Sequence, residues 1–143
     1  MSFFASLASL LGGASFGPEQ FDLVRAEHPG TILLDVRSRG EYVQGHIDGS
    51  TLVPLDHLAV SLTQLAAAPA PIIVICHSGA RASTAATALR RSGKTDVYVL
   101  GGGVSAWGGH GRKLSAGAKD LSLRDALKKA KSAAPKAPAE QSA

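Results

Sequence analysis

The chain of 143 residues has one cysteine, Cys76, so no disulfide can form within it. Nothing in its make-up therefore ties the fold to an oxidising compartment. No apolar run approaches the length of a membrane span. The first thirteen residues, MSFFASLASLLGG, contain no lysine or arginine and lack the basic start of a secretory signal. The cytoplasm is the expected location. The five histidines, His28, His46, His57, His77 and His110, pair with no other ligand at metal-binding spacing, which predicts no metal site and no cofactor. Gly93-Lys94-Thr95 imitates the end of a phosphate loop, but Ala88 stands where that motif needs glycine. Gly101–Gly103 lacks the third spacing of a dinucleotide fingerprint, and no Gly-x-Ser-x-Gly elbow occurs. A strongly basic fold is absent too. Residues 1–111 sum to −1 and residues 112–143 to +5, so the positive balance is a property of the tail and no nucleic-acid partner is expected.

What is present centres on Ile72–Ala82. Four apolar β-branched residues run into Cys76, a short Gly-containing loop follows, and Ala82–Arg91 has helical composition. A buried strand, a tight loop and a helix start in that order gather backbone N–H groups into one small space. A thiol at the mouth of such a space is pushed towards thiolate by the helix dipole and a nearby cation. A lone cysteine after an apolar strand is equally a small core residue. Ser78, Gly79 and Arg81 shift the balance, because they offer a hydroxyl, a close backbone approach and a positive charge.

Around this stretch, strands alternate with helices. Ala14–Phe16 reads as an edge strand, and Pro18 opens a helix that ends at His28-Pro29-Gly30. Ile32–Val36 reads as a buried strand. Asp35 near its end marks a functional sheet edge, or else caps the next turn while Arg37 pairs with Glu41. Ser38–Val43 is a short helix, Leu52-Val53 a short strand, and Leu55–Ala67 a helix with Leu55, Leu58, Leu62 and Leu65 on one stripe. Val97–Leu100 is a further buried strand, and Val104–Trp107 one helical turn. The alternation predicts an α/β fold with a mainly parallel sheet and helices on both faces. Gly108–Gly111 is expected to end the compact part. Leu114–Lys131 holds at most one short basic helix anchored by Leu121, Leu123 and Leu127, and Ser132–Ala143 has a disordered composition. The apolar segment 1–13 reads as a loosely docked amphipathic stretch, with weak membrane-surface contact or a dimer contact as other readings.

Leu34-Asp35-Val36-Arg37, Glu41-Tyr42, Gly45-His46-Ile47-x-Gly49, Cys76-x-x-Gly79-x-Arg81, and Gly101-Gly102 with Trp107 resemble the rhodanese-like domain in order and spacing over about residues 14–112. The resemblance implies a parallel sheet of about five strands and a sulfurtransferase. Cys76 would be catalytic and carry a persulfide taken from thiosulfate or another sulfane donor, and cyanide, a small thiol or an acceptor protein would take the sulfur. His77, Ser78, Gly79, Ala80 and Arg81 would bind the donor. Asp35, Arg37 and Glu41 would brace the loop, with His46 structural. Two departures stand out. Leu52 and Val53 occupy a region where the family often has a polar residue, and the loop has Arg81 as its one cation with His77 as a second candidate. Related phosphatases place five residues between cysteine and arginine. Here there are four, His77–Ala80, which suits sulfur better than a phosphoryl group. A persulfide carrier or interaction module with little free turnover is the other reading.

Overall fold

The computed structural model describes residues 15–118 and 121–134. The segment 1–13 and the end of the tail from 135 lie outside them. Five strands form one sheet: β1 (Ser15–Phe16), β2 (Ile32–Asp35), β3 (Thr51–Leu52), β4 (Ile72–Ile75) and β5 (Val97–Leu100). Their order is β1-β5-β4-β2-β3, and every neighbouring pair is parallel. Parallel strands need helical crossovers. These are α1 (Pro18–Glu27), α2 (Arg39–Gln44), a 3-10 helix (Leu55–Ser61) leading into α3 (Leu62–Ala66), and α4 (Ala80–Arg91). Two helices follow β5: α5 (Gly103–Gly109) and α6 (Leu123–Ala133).

The two-residue period of the strands divides the core. Ile32, Leu34, Ile72, Val74, Val97 and Val99 point to one face, against Ala82, Ala85, Ala86 and Leu89 of α4, Leu58, Leu65, and Ala126 and Ala130 of α6. Leu33, Ile73, Ile75, Tyr98 and Leu100 point to the other, against Phe21 and Val24 of α1 and Val104 and Trp107 of α5. All residues of β2, β4 and β5 are buried, as expected for a sheet covered on both faces. The register pairs Asp35 with Ile75, so the carboxyl ends of β2 and β4 lie side by side at one edge.

The expected helix 55–67 opens as a 3-10 helix. In that geometry residues three apart eclipse, which turns both Leu55 and Leu58 inward before the α-turn presents Leu62 and Leu65. The short third strand is shifted one residue, to Thr51–Leu52, and α5 runs two turns instead of one. The expected end of the compact part at Gly108–Gly111 moves further along the chain. Arg112 forms a two-pronged pair with Asp22 at 2.9 and 2.7 Å, and Ser115 bridges His46 backbone to backbone. Helix α6 then docks with Ala126 and Ala130 buried, and the leucines Leu121, Leu123 and Leu127 are only partly so. Small alanines carry little hydrophobic signal in a sequence, yet they let this helix approach closely. A Cβ on Gly30 would lie 3.0 Å from the Ala130 backbone.

Glycines at the start of α5 seat it under the edge that follows β4. Gly102 and Gly103 have φ of 74° and 59°, where other residues are strained. A Cβ on Gly103 would come within 2.2 Å of the Cys76 carbonyl oxygen and 2.5 Å of that of His77. Gly103→Ala is therefore expected to cost at least about 3 kcal/mol of stability in urea denaturation. Gly108→Ala, in the same helix and with open space around it, is expected to be neutral or to stabilise by about 0.5–1 kcal/mol. Equal behaviour of the two variants would contradict this packing.

Candidate active site

Cys76 leaves β4 directly into the loop His77-Ser78-Gly79, and α4 starts at Ala80. The peptide groups of this loop are sorted by direction. The carbonyls of Cys76 and His77 accept hydrogen bonds from the Val104 and Ser105 N–H groups at 2.9 and 3.0 Å, in the first turn of α5. Gly79, at φ 113°, swings the chain into α4, and its N–H donates to Cys76 Sγ at 2.9 Å. The first intrahelical bond of α4 is from Ser83 N–H to the Gly79 carbonyl at 3.0 Å. The N–H groups of Ala80, Arg81 and Ala82 precede it, the position at which a helix start leaves donors without an intrahelical acceptor. Carbonyls thus face α5, and an amide hydrogen faces the sulfur.

The sequence places the thiol at the mouth of this space. The structure places it beneath: Cys76 is 1% exposed and packs on the α4 face of the core. The tight turn at Gly79 folds the loop over the sulfur, while His77, Ser78 and Ala80 are exposed. Beside the loop is a depression lined by Arg37, Glu41, Gln44, Gly45, His77, Val104 and Leu114.

Two ion pairs brace the loop and its neighbour α2. Asp35 and Arg37 are both buried, with Asp35 accepting from Arg37 Nε at 3.0 and 3.2 Å, from Nη2 at 2.8 Å and from its backbone N–H at 3.1 Å. Arg37 also donates to the Gly45 carbonyl at 2.8 Å, tying the end of α2 to the end of β2. Removing either partner would strand a buried charge, at a cost of about 3–5 kcal/mol. Glu41 caps the start of α2 through Ser38 and receives both prongs of the Arg81 guanidinium, at 2.7 and 2.8 Å. The reading in which Arg37 pairs with Glu41 is thus replaced: Arg37 belongs to Asp35, and Glu41 belongs to Arg81. Arg81 is expected from sequence as a donor-binding cation. Here its charge is matched by a carboxylate, which also raises its own pKa above the ordinary arginine value. His46 is buried, stacked on Tyr42 at 3.7 Å between ring centres, with Nδ1 2.8 Å from the Tyr42 carbonyl. Its contacts hold it against Tyr42 of α2.

Sequence reasoning missed Gln44, Val104 and Leu114, which shape the depression. The three successive glycines Gly101–Gly103, which sequence analysis only excluded as a dinucleotide fingerprint, are the signal that backbone approaches backbone there.

The Arg81 hydrogen bonds hold the Glu41 carboxyl down at about 2. A lowered folded-state value means that the pair's stabilisation is complete above the ordinary 4.5 and is lost as pH falls towards about 2. Both side chains are more than a third exposed, at 39% and 35%, so screening holds the contribution to about 1 kcal/mol or less. The stability gap between wild type and Glu41→Gln is expected to stay level from neutral pH to about 5 and to close below it. A gap unchanged at pH ~3 would contradict the pairing.

Comparison with known proteins bears on the family and the fold. The family model for the rhodanese-like domain matches residues 22–110. A thiosulfate sulfurtransferase, GlpE, of Pseudomonas entomophila is 34% identical over 90 residues, 63% of this chain and 80% of the relative. The GlpE of Shewanella oneidensis is 37% identical over 75 residues, 52% of this chain and 73% of the relative. The crystal structure of the Alr3790 protein from Anabaena matches with a TM-score of 0.63 at 28% identity, over 71% of this chain and 80% of that one. Among the described residues no helix is long and apolar enough to cross a membrane. Fold, motif order and relatives meet at one assignment: this chain belongs to the rhodanese-like domain family.

Proposed function

We propose that the protein is a sulfurtransferase that carries a sulfane sulfur as a persulfide on Cys76. The observation that carries this reading is the Gly79 N–H aimed at Cys76 Sγ at 2.9 Å, from a loop whose Cys76 and His77 carbonyls are turned away to α5. A buried sulfur that served only as core filling would need no such donor. A sulfur that must bear negative charge as the attacking thiolate, and again as the leaving thiolate when the persulfide hands on its outer sulfur, does need one.

In the first step the Cys76 thiolate attacks the outer sulfur of a sulfane donor, and the donor's remainder leaves with the electron pair. With thiosulfate the leaving group is sulfite. In the second step an acceptor nucleophile (cyanide, a small thiol or the thiol of an acceptor protein) takes the sulfur and restores the thiolate. The N–H groups of Gly79, Ala80, Arg81 and Ala82 are the donors placed to hold the new charge. Arg81, Glu41, Asp35 and Arg37 act on this step by holding the loop and α2 in place. Because Cys76 is covered, donor access requires residues 77–79 to move off the sulfur. The chain has one cysteine, so no second thiol within it can resolve the persulfide, and the sulfur leaves to another molecule. That favours hand-over to a partner's thiol as the second half-reaction. It also suits a reducing compartment, and we place the protein in the cytoplasm.

Treatment with a panel of sulfane donors is expected to make the wild-type chain one sulfur atom heavier by mass spectrometry, with the added mass on the peptide containing Cys76. Cyanide or a thiol is expected to remove it. Cys76→Ser is expected to stay unmodified and to lose transfer by at least about a thousandfold. Phosphatase activity that vanishes in Cys76→Ser, with no sulfur adduct in the wild type, would overturn the reading.

A further inference from the structure

The charges around the loop cancel. Arg81 is committed to Glu41 by two hydrogen bonds at 2.7 and 2.8 Å, and Arg37 to Asp35 by contacts of 2.8–3.2 Å. Two cations thus face two carboxylates, and the further N–H groups of Arg37 go to the carbonyls of Gly45 and Glu41. Glu41 is ionised at every working pH, because its carboxyl is held at about 2. What remains for an incoming donor is backbone N–H and the exposed His77 ring, with both arginines already committed to carboxylates. Beside the loop, Val104 and Leu114 give the depression an apolar wall, and Gln44 gives it a neutral polar group.

Resting on the sulfurtransferase reading above, we infer that the preferred donor is an organic hydropersulfide, R–S–S–H, with little charge on R, and not the dianion thiosulfate. A dianion next to this loop meets the Glu41 carboxylate and can gain Arg81 only by displacing it, whereas an organic persulfide leaves both pairs intact. Glu41 is 35% exposed, so solvent screens this repulsion, and it is expected to separate the two donors by about tenfold. The R group lies against Val104 and Leu114 while the outer sulfur reaches Cys76. The step balances: Cys76–S⁻ attacks the outer sulfur of R–S–S–H, a Cys76 Sγ–S bond forms, and the donor's S–S bond breaks. The products are Cys76–S–S–H and R–S⁻, with one negative charge on each side and no external oxidant or reductant.

The test compares loading of Cys76 by 2-hydroxyethyl hydropersulfide and by thiosulfate, followed by mass spectrometry. Each second-order rate is divided by that of N-acetylcysteine with the same donor, which removes intrinsic donor reactivity. The wild-type enhancement is expected to be at least about tenfold larger for the hydropersulfide. In Glu41→Gln, with Arg81 released, the ratio of the thiosulfate rate to the hydropersulfide rate is expected to rise about tenfold, whatever the variant does to both rates together. Retained loading by the hydropersulfide reports that this variant is folded, and the wild-type comparison stands without it. Equal or greater enhancement for thiosulfate in the wild type would overturn the donor assignment and leave the sulfurtransferase reading intact. Failure of both donors to load Cys76 would overturn both.

Discussion

Two hydrogen bonds, from the Val104 and Ser105 N–H groups to the carbonyls of Cys76 and His77, decide which way the loop after β4 presents its backbone. A peptide group has a donor end and an acceptor end, and fixing the acceptor fixes the donor. With these two carbonyls held by α5, the next turn can pass through a left-handed Gly79 and bring an N–H onto the sulfur. Most of the neighbouring structure serves this arrangement. Gly103 is glycine because any Cβ would strike those carbonyls. The parallel register sets β2 beside β4, which places Asp35 and, through Arg37, α2 next to the loop. Glu41 then reaches Arg81 from across that gap.

The burial of Cys76 follows from the same geometry. A loop tight enough to aim an amide at the sulfur also covers it. The resting thiol is shielded, and access becomes a question of loop movement. Neutral pairing of the surrounding charges is consistent with such a site, since an unpaired cation over a covered sulfur would draw water and anions onto it.

Much of this was legible in the sequence because its signals are local and strong. The apolar runs 72–75, 97–100 and 32–34 could only be buried strands, and their alternation with helical segments allowed few arrangements besides a parallel sheet. Cys76 and Gly79 could be placed in one loop, with Arg81 just beyond it, from spacing alone. Pairing was not legible, because it depends on contacts distant in sequence. Arg81 meets Glu41 forty residues away, a match no periodicity encodes. The docking of α6 was missed for a different reason: its buried side chains are Ala126 and Ala130, and its approach is permitted by a glycine about a hundred residues earlier. The depth of the thiol was misjudged because loop closure depends on α5, which sequence reading treated as a single turn.

The central claim is that backbone amides of the loop hold the charge on sulfur at Cys76. Amide proton shifts report this directly, comparing the protein before and after one sulfur atom is loaded on Cys76. The Gly79, Ala80 and Arg81 amide protons are expected to move downfield on loading while those of His46 and Lys94 stay in place. A fully loaded protein whose three loop amides do not respond would contradict the account.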